Sequence, residues 1–335
     1  MTKATVTGKR ILVTGGTGSF GKMFVKRLLH FSPKEIVVFS RDENKQGAME
    51  LELADKRVRF MLGDVRDKMS VRNAVRGVDY IIHAAALKWV PQVELNVWEG
   101  VLTNIIGAQN IIEAAREEGV SRVVALSTDK AVEPINAYGM AKALQERLIT
   151  TANLYQEKGG TVFISTRYGN VLGSRGSVIP LFRSILDAGK PLTVTNPQMT
   201  RFIMTLEDSV DLVFKALTDG VGGEVYVKKM PAHTVQDLID IMYEKTPVKK
   251  RIIKNIGTRP GEKIHETLVS EVESLRTVDM GGYYVILPQI PLGAVEKKYA
   301  SYKKIKPIVY ASNTTERISK DELRGLLLKE GWLDK

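Results

Sequence analysis

Residues 10–21 read R-I-L-V-T-G-G-T-G-S-F-G, a short apolar strand that runs into a glycine-rich turn. Gly15, Gly18 and Gly21 give the spacing G-x-x-G-x-x-G, and a segment with helical apolar periodicity follows. Such a turn brings backbone N–H groups and a helix N-terminus against a pyrophosphate. Glycine is needed because a side chain would block the approach of the backbone. The stretch therefore predicts a dinucleotide-binding turn at the start of an α/β fold.

Strands and helices alternate after this turn. Continuous apolar runs, which suit a parallel sheet buried on both faces, occur at residues 35–40, 58–62, 80–83, 122–127 and 161–165. A long helix is predicted from about Trp98 to Glu118, and residues 206–218 and 224–227 are predicted as the last helix and strand of the sheet. The pattern predicts a doubly wound parallel sheet, the Rossmann fold.

The periodicity becomes less regular towards the C-terminus, which indicates a second, smaller lobe. We assign residues 1–171 plus about 205–229 to the dinucleotide-binding domain, and about 172–204 plus 230–335 to a substrate-binding lobe. Arg259-Pro260-Gly261-Glu262-Lys263 within that lobe is a charged turn suited to clamping a diphosphate.

The residues after the second predicted strand bear on the cofactor. An acidic residue there holds the ribose 2′-hydroxyl of NAD, whereas an arginine suits the 2′-phosphate of NADP. Ser40, Arg41 and Lys45 favour NADP, while Asp42 leaves NAD open. After the third strand, Asp64 is placed either to accept from the adenine amino group or to cap the next helix.

A second informative stretch, residues 127–147, reads S-T-D-K-A-V-E-P-I-N-A-Y-G-M-A-K-A-L-Q-E-R. Tyr138 and Lys142 have the spacing Y-x-x-x-K, which puts them on one face of a helix. The ammonium of Lys142 would favour the phenolate and lower the pKa of Tyr138 from about 10 towards working pH. The hydroxyl of Thr128 is placed to share a substrate oxygen with Tyr138.

Between Thr128 and Tyr138 lies Asp129-Lys130, an acid beside a base. Alone, such a pair is most often a solvated turn, and Y-x-x-x-K alone is most often a helix surface. Together they indicate an active site, because they follow a predicted strand in a chain that opens with a dinucleotide-binding turn. The structural alternative for Lys130 is a salt bridge to Asp129 or Glu133.

The composition narrows the class of protein. The 335 residues suffice for a sizeable core, and the chain has no cysteine and four histidines without ligand spacing, so we expect no metal site. The net charge of +11 comes from scattered basic residues, which fit a phosphate-rich substrate better than nucleic acid. No apolar run approaches the ~20 residues of a membrane span, so we expect a cytoplasmic protein.

The chain resembles the extended short-chain dehydrogenase/reductases that modify nucleotide sugars, and in particular the inverting UDP-N-acetylglucosamine 4,6-dehydratases. The resemblance covers nearly the whole chain and rests on T-G-G-T-G-S-F-G, F-S-R-D-E, G-D-V-R-D, H-A-A-A-L-K, S-T-D-K-A-V-E-P-I-N-A-Y-G-M-A-K, R-Y-G-N-V-L-G-S-R-G-S-V-I-P, M-T-R-F and R-P-G-E-K. Such enzymes make precursors of bacterial surface and flagellar sugars. Some carry methionine in place of Tyr138, so this chain is similar to the tyrosine-bearing group.

The resemblance implies that Tyr138 and Lys142 contact the nicotinamide ribose, that Lys130 is the active-site lysine and that Asp129 is its acidic neighbour. With the glycine turn and three small residues after the fourth strand, the expected cofactor contacts are Gly15, Thr17, Gly18, Ser19, Phe20, Gly21, Arg41, Asp42, Lys45, Gln46, Asp64, Val65, Ala84, Ala85 and Ala86. The expected contacts of the UDP-sugar are Lys88, Asn170, Val178, Thr195, Arg201, Arg259 and Glu262.

The implied reaction uses NADP to oxidise carbon 4, eliminates water across carbons 5 and 6, and returns hydride to carbon 6. Lys130 would have to act as a neutral amine, and we expect the positive charges of Lys142 and the nicotinamide to lower its pKa. Two alternatives remain: a UDP-N-acetylglucosamine 4-epimerase, which needs no Asp-Lys pair, and a non-catalytic NADP-sensing regulator. We expect a homo-oligomer.

Overall fold

The apolar run at the start of the chain forms an inner strand of the main sheet. The structure is a computed structural model that describes residues 5–155, 159–244 and 251–333. Its strands are β1 (Arg10–Thr14), β2 (Glu35–Ser40), β3 (Val58–Leu62), β4 (Tyr80–His83), β5 (Arg122–Leu126), β6 (Val162–Arg167), β7 (Asn170–Val171), β8 (Leu192–Val194), β9 (Thr200–Met204), β10 (Val225–Lys228), β11 (Ala232–Thr234), β12 (Ile253–Asn255), β13 (Thr267–Val269), β14 (Thr277–Asp279), β15 (Tyr283–Ile286) and β16 (Tyr310–Ala311).

The helices lie mainly between the strands of the first two thirds of the chain. They are α1 (Ser19–Leu29), α2 (Glu43–Leu53), α3 (Lys68–Val75), α4 (Val90–Leu95), α5 (Val97–Gly100), α6 (Gly107–Glu117), α7 (Ala137–Thr151), α8 (Val178–Asp187), α9 (Leu206–Asp219), α10 (Val235–Glu244), α11 (Glu271–Ser274), α12 (Gly293–Tyr299) and α13 (Lys320–Lys329). A π-helical segment, Val101–Ile106, joins α5 to α6, and Asp129–Ala131 forms a 3₁₀ turn.

The main sheet has the order β3-β2-β1-β4-β5-β6-β10-β15-β14. All pairs from β3 to β10 are parallel, and β15 pairs antiparallel with both β10 and β14. The strand order reverses between β1 and β4, where ligands bind in doubly wound sheets. The predicted Rossmann-type parallel sheet is confirmed.

Burial on both faces explains why the strands are continuous apolar runs. On β1, Ile11 packs on the side of α1 and α9 with Phe24, whereas Leu12 packs on the side of α3 and α6 with Ile111. All four side chains are fully buried. The central positions of β1 are therefore apolar on both faces, as expected for parallel strands covered by helices on both sides.

The C-terminal part differs from the expectation in one respect. The sequence predicts residues 224–227 as the last strand of the main sheet, yet β14 and β15 extend the sheet beyond β10. Their pairing is antiparallel, so only a short loop between them is needed. Smaller sheets, β11-β9-β7, β12-β8 and β13-β16, pack around two further apolar clusters. The division into two lobes at the stated boundaries stays a prediction.

Candidate active site

The carboxyl ends of the parallel strands open into a cleft of about 1020 Å³. The lining includes most of the residues that the sequence predicts for the site: Gly15, Thr17, Gly18, Ser19, Phe20, Gly21, Arg41, Asp42, Lys45, Asp64, Val65, Ala84, Ala85, Ala86, Lys88, Thr128, Asp129, Lys130, Tyr138, Lys142 and Asn170. The predicted residues outside this lining are Gln46, Val178, Thr195, Arg201, Arg259 and Glu262.

The glycine turn packs closely on the residues that follow β4. Gly15 has a φ of +64°, and a Cβ on it would lie 2.8 Å from the Ala85 backbone nitrogen. A Cβ on Gly21 would lie 2.5 Å from the Gly16 Cα. The N-cap of α1, Gly18, makes no side-chain cap hydrogen bond. The backbone N–H groups of this helix start therefore face the cleft without a side-chain partner at the cap, an arrangement that suits a phosphate.

The carboxylates at the other end of the cleft are already bound by protein groups. Asp42 caps α2, because its Oδ1 accepts from the backbone nitrogen of Lys45 at 3.0 Å. Its second oxygen pairs with the Lys45 ammonium. Asp64 accepts from the backbone and the guanidinium of Arg66, at 2.9 and 2.8 Å. Arg41 lies 3.5 Å from Asp64 and keeps half of its side chain exposed at the rim.

At this end Asp64 and Gln46 have hydrogen-bond partners within the protein, and their expected contacts with the cofactor stay predictions. Asp64 does not cap the following helix, because Asp67 takes that position at the start of α3. Gln46 lies beneath the cleft, where its Nε2 donates to the carbonyl oxygens of Ser40 and Met61, each at 3.0 Å. Gln46 thus joins the ends of β2 and β3.

The side chains that the sequence predicts to be catalytic follow β5. The Thr128 hydroxyl donates to Asp129 Oδ1 at 2.9 Å, and Lys130 Nζ donates to the same oxygen at 3.0 Å. The neighbouring Thr128 hydroxyl also acts on Tyr138, in the first turn of α7, by lowering the pKa of its phenol against the effect of burial. Asp129 Oδ2 is buried without a hydrogen-bond partner among the described residues. The hydroxyls, the acid and the amine therefore form one contiguous group.

A close approach of α7 to the 3₁₀ turn fixes this arrangement. A Cβ on Gly139 would lie 2.2 Å from the carbonyl oxygen of Lys130, so only glycine fits there. Asn136 caps α7 by accepting from the Gly139 backbone at 2.7 Å, and its Nδ2 donates to the Gly261 carbonyl at 2.8 Å. The same residue thus places Tyr138 beside Lys130 and ties both to the R-P-G-E-K turn.

Burial controls the ionisation of the Tyr138–Lys142 pair. Lys142 Nζ donates to the Leu126 carbonyl and to Gln145 Oε1, both at 2.6 Å, and burial lowers the pKa of Lys142 to about 7 although Glu146 opposes this. Burial also raises the pKa of Tyr138 to about 12. The expected lowering of the Tyr138 pKa is therefore wrong for the protein alone.

Charge pairing controls Lys130. Burial would lower the pKa of Lys130, but the carboxylates of Asp129 and Glu266 outweigh burial and hold that pKa above its ordinary value. Glu266 Oε1 lies 3.4 Å from Lys130 Nζ. The expectation of a lowered Lys130 pKa is thus wrong for the protein alone. The salt bridge to Asp129, which is the structural alternative, is present at 3.0 Å.

Sequence reasoning missed Glu266. It is 2% exposed and lies just beyond the R-P-G-E-K turn, in the order R-P-G-E-K-I-H-E. A second acid close to a motif already assigned to the site was the available signal. Its contact with Lys130 depends on the packing of a distant segment, so no local spacing predicts it.

Four of the expected substrate residues meet in a second group. Thr195 Oγ1 donates to Glu262 Oε1 at 3.2 Å, the Arg259 backbone donates to Glu262 Oε2 at 3.3 Å, and Arg201 Nη2 lies 3.9 Å from Glu262 Oε1. Arg201 Nε also lies 4.0 Å from Glu266 Oε1, which connects this group to Lys130.

The remaining expected substrate residues lie on separate elements. Asn170 begins β7 and pairs with Ile203, and Val178 begins α8. Loss of solvent inside the cleft, together with the charges of Arg175 and Lys130, lowers the pKa of Lys88. Lys88 and Asn170 thus line the same cleft as Asp129 and Lys130, whereas Val178 is not part of the lining.

Two further features of the described part of the chain concern metal-ligand clusters and membrane-spanning helices. Residues 5–155, 159–244 and 251–333 contain no group of three or more His, Asp or Glu side chains arranged to hold a metal ion. Within the same ranges, no helix has the length and apolar character needed to cross a membrane.

Known proteins match this chain over most of its length. The sequence profile of the polysaccharide biosynthesis protein family matches residues 11–288. A UDP-glucose 4-epimerase from Rickettsia akari (strain Hartford) is 46% identical over 330 residues, which cover 96% of this chain and 95% of that protein.

Two solved structures share its fold. The structure of Pen from Bacillus thuringiensis is 38% identical and superposes with a TM-score of 0.91 over 98% of this chain and 99% of that chain. A UDP-glucose 4-epimerase from Thermus thermophilus in complex with NAD is 25% identical and superposes with a TM-score of 0.65 over 76% of this chain and 88% of that chain. The chain belongs to the polysaccharide biosynthesis protein family and has the extended short-chain dehydrogenase/reductase fold of enzymes that modify nucleotide sugars.

Proposed function

We propose that the protein is a UDP-N-acetylglucosamine 4,6-dehydratase that inverts carbon 5 and uses NADP. One observation carries the proposal: the ion pair of buried Asp129 with partly buried Lys130 lines the same cleft as Tyr138 and Lys142. Oxidation at carbon 4 needs the tyrosine and its lysine, whereas loss of water across carbons 5 and 6 needs a further base and acid beside them. The product would be the first intermediate towards a modified surface or flagellar sugar.

The cleft fits a nicotinamide dinucleotide at both ends. The absence of a Cβ at Gly15 and Gly21 lets the turn pack directly on Ala85 and Gly16, so the start of α1 is open to a diphosphate. Arg41 and Lys45 line the far end and suit a 2′-phosphate. Asp42 is engaged in capping α2, which disfavours its use for a 2′-hydroxyl. These contacts support NADP over NAD, although the Thermus enzyme binds NAD.

In the oxidation step, Tyr138 accepts the proton of the 4-hydroxyl, and the adjoining Thr128 hydroxyl binds the same oxygen. The nicotinamide, when bound, accepts hydride from carbon 4 and gives it back at carbon 6. The pKa of Lys142, about 7, places its change of charge near neutral pH. In its protonated form Lys142 favours the phenolate form of Tyr138, which is the form that accepts this proton.

In the elimination step, Lys130 takes the carbon-5 proton and Asp129 gives a proton to the departing 6-hydroxyl. The 3.0 Å hydrogen bond from Lys130 Nζ to Asp129 Oδ1 provides both reactive forms. Transfer of one proton along it turns the ammonium into an amine and the carboxylate into an acid, without a change in net charge. The resting ion pair is therefore compatible with a lysine base. Carbon 5 then receives a proton from solvent on the opposite face, and Tyr138 releases to solvent the proton that it accepted, which restores the resting site.

The names of the Rickettsia relatives favour a second candidate, a UDP-sugar 4-epimerase. An epimerase would use Tyr138 and Lys142 in the same way and would turn the 4-keto sugar over in the site. It has no step that needs Asp129 and Lys130. A non-catalytic NADP-sensing regulator would need none of these four side chains, so their clustering disfavours it.

The test is NMR of the product formed from UDP-N-acetylglucosamine and NADP in deuterated water. A dehydratase gives a 6-deoxy-4-keto sugar with one deuterium at carbon 5, and the coupling constants of that carbon report inversion. Formation of UDP-N-acetylgalactosamine without deuterium would establish the epimerase instead. Repeating the reaction with NAD shows which cofactor supports turnover.

A further inference from the structure

A second carboxylate reaches Lys130 from the C-terminal half of the chain. Glu266 precedes β13, where its backbone nitrogen donates to Ser312 Oγ at 2.9 Å and its carbonyl accepts from the Ser312 backbone at 2.8 Å. Its Oε1 lies 3.4 Å from Lys130 Nζ and 4.0 Å from Arg201 Nε. Its Oε2 is buried and has no hydrogen-bond partner among the described residues.

The charges around Lys130 are unevenly distributed. The titratable groups that act on it, or on which it acts, come from five segments: Asp129 from its own turn, Tyr138 from α7, Lys88 after β4, Arg201 from β9, and Lys263 and Glu266 before β13. In this set the cations disfavour an ammonium at Lys130, as burial does. Only Asp129 and Glu266 favour it.

We propose that Glu266 is a positioning residue for Lys130, which holds the lysine Nζ beside Asp129 and keeps it in the ammonium form in the resting site. This inference rests on the proposed function, because Lys130 matters as a base only if carbon 5 loses a proton. Glu266 itself gains and loses no proton in the cycle. The proton transfer that activates Lys130 breaks an Nζ–H bond and forms an O–H bond on Asp129. The ion pair with Glu266 opposes this transfer, because it favours the ammonium form of Lys130.

The burial of Glu266 supports this role. A buried carboxylate is costly unless a cation pairs with it, and removal of one partner leaves an uncompensated charge. Burial, together with Asp129, raises the pKa of Glu266, and Lys130 and Arg201 oppose that rise. The Glu266 carboxylate and the Lys130 ammonium therefore each stabilise the charged form of the other.

The test compares Glu266→Gln and Glu266→Asp with wild type in two measurements. The first is the pH dependence of solvent deuterium exchange at carbon 5 of the sugar. The second is the ¹³Cε chemical shift of Lys130 against pH in the protein alone, assigned with Lys130→Arg. In Glu266→Gln both titrations should move to lower pH by about 1–3 units, because an opposite charge within a few ångströms has been removed. Glu266→Asp should move them less, since it keeps a charge farther away.

The matched control is Glu273→Gln. Glu273 is partly buried and pairs with a cation, Arg167, at 2.8 Å, and it is not among the groups that shift the pKa of Lys130. Its two titrations should coincide with those of wild type. Folded Glu266→Gln with an unshifted Lys130 titration would overturn the proposal; if that variant does not fold, an unshifted titration in Glu266→Asp would overturn it. Wild type without deuterium at carbon 5 would instead overturn the dehydratase, because the chemical-shift titration needs no substrate.

Discussion

The two halves of the cleft shift the pKa of a desolvated lysine in opposite directions. Lys142, on the Tyr138 side, donates to a backbone carbonyl and to an amide oxygen, and burial lowers its pKa to about 7. Lys130, on the other side, faces two carboxylates, which raise its pKa in spite of burial. Desolvation penalises both ammonium groups, so the partners decide the direction of the shift.

This difference matches the chemistry proposed for each half. On the Tyr138 side a charge must appear and disappear near neutral pH, which a lysine of low pKa allows. On the Asp129 side a proton has to move within a fixed set of groups, and an ion pair with a short hydrogen bond allows that without a net change of charge. Variants at each half should therefore fail at different steps.

The largest effect is expected for Tyr138→Phe. Without the phenol the first proton transfer is lost, so turnover should fall by about 10²–10⁴-fold and no later step should be reached. Binding of UDP-N-acetylglucosamine, measured by titration calorimetry, should change little because one hydroxyl matters mainly in the transition state. Turnover close to that of wild type would show that the 4-hydroxyl proton goes to another group.

Lys130→Ala should lower the rate of water elimination by about 10²–10⁴-fold and leave the oxidation of carbon 4 intact. The variant should still oxidise carbon 4, seen as absorbance of the reduced cofactor, and should place almost no solvent deuterium at carbon 5. Equal loss of oxidation and exchange would mean that Lys130 does not separate the two halves. Tyr138→Phe, assayed in parallel, serves as the variant that loses both.

Local spacing was sufficient to predict much of the fold and which side chains of the candidate site lie close together, and the reason is physical. The strands are apolar because both faces are buried, and Thr128, Asp129, Lys130, Tyr138 and Lys142 lie on two consecutive elements, so their proximity is encoded locally. Their pKa values could not be predicted, because these depend on burial and on charges brought by other segments. The contact of Glu266 and the addition of β14 and β15 to the sheet depend on tertiary packing in the same way.

A smaller effect is expected at the far end of the cleft, where Arg41 is proposed to bind the 2′-phosphate of NADP. Arg41→Ala should weaken binding of NADP by about 10–100-fold, since hydrogen bonds to charged groups contribute about 1.5–3 kcal/mol. Binding of NAD should change little because it has no 2′-phosphate. Arg59→Ala, on β3 with its guanidinium on Glu35, is the matched control. An equal loss for both dinucleotides in fluorescence titrations would contradict the assignment of Arg41.

The smallest effect concerns stability, and it tests the comparison of the two lysines without substrate. The pKa of Lys142 is about 7 in the folded protein and that of an unfolded lysine is about 10.4, so between these values the unfolded chain binds the extra proton and stability rises with pH. Relative to Lys142→Met, wild type should therefore gain about 1–3 kcal/mol from pH 7 to pH 9. The raised pKa of Lys130 has the opposite consequence. The ion pairs of Lys130 stabilise the folded protein fully at pH values below the pKa of lysine in the unfolded chain, and this stabilisation is lost only above that pH. The difference between wild type and Lys130→Met, measured by urea unfolding, should thus stay nearly constant over the same range. If the free energy of unfolding of Lys142→Met and of Lys130→Met changed with pH in the same way, the hydrogen-bond and ion-pair partners of Lys142 and Lys130 would not determine the charges of these two lysines.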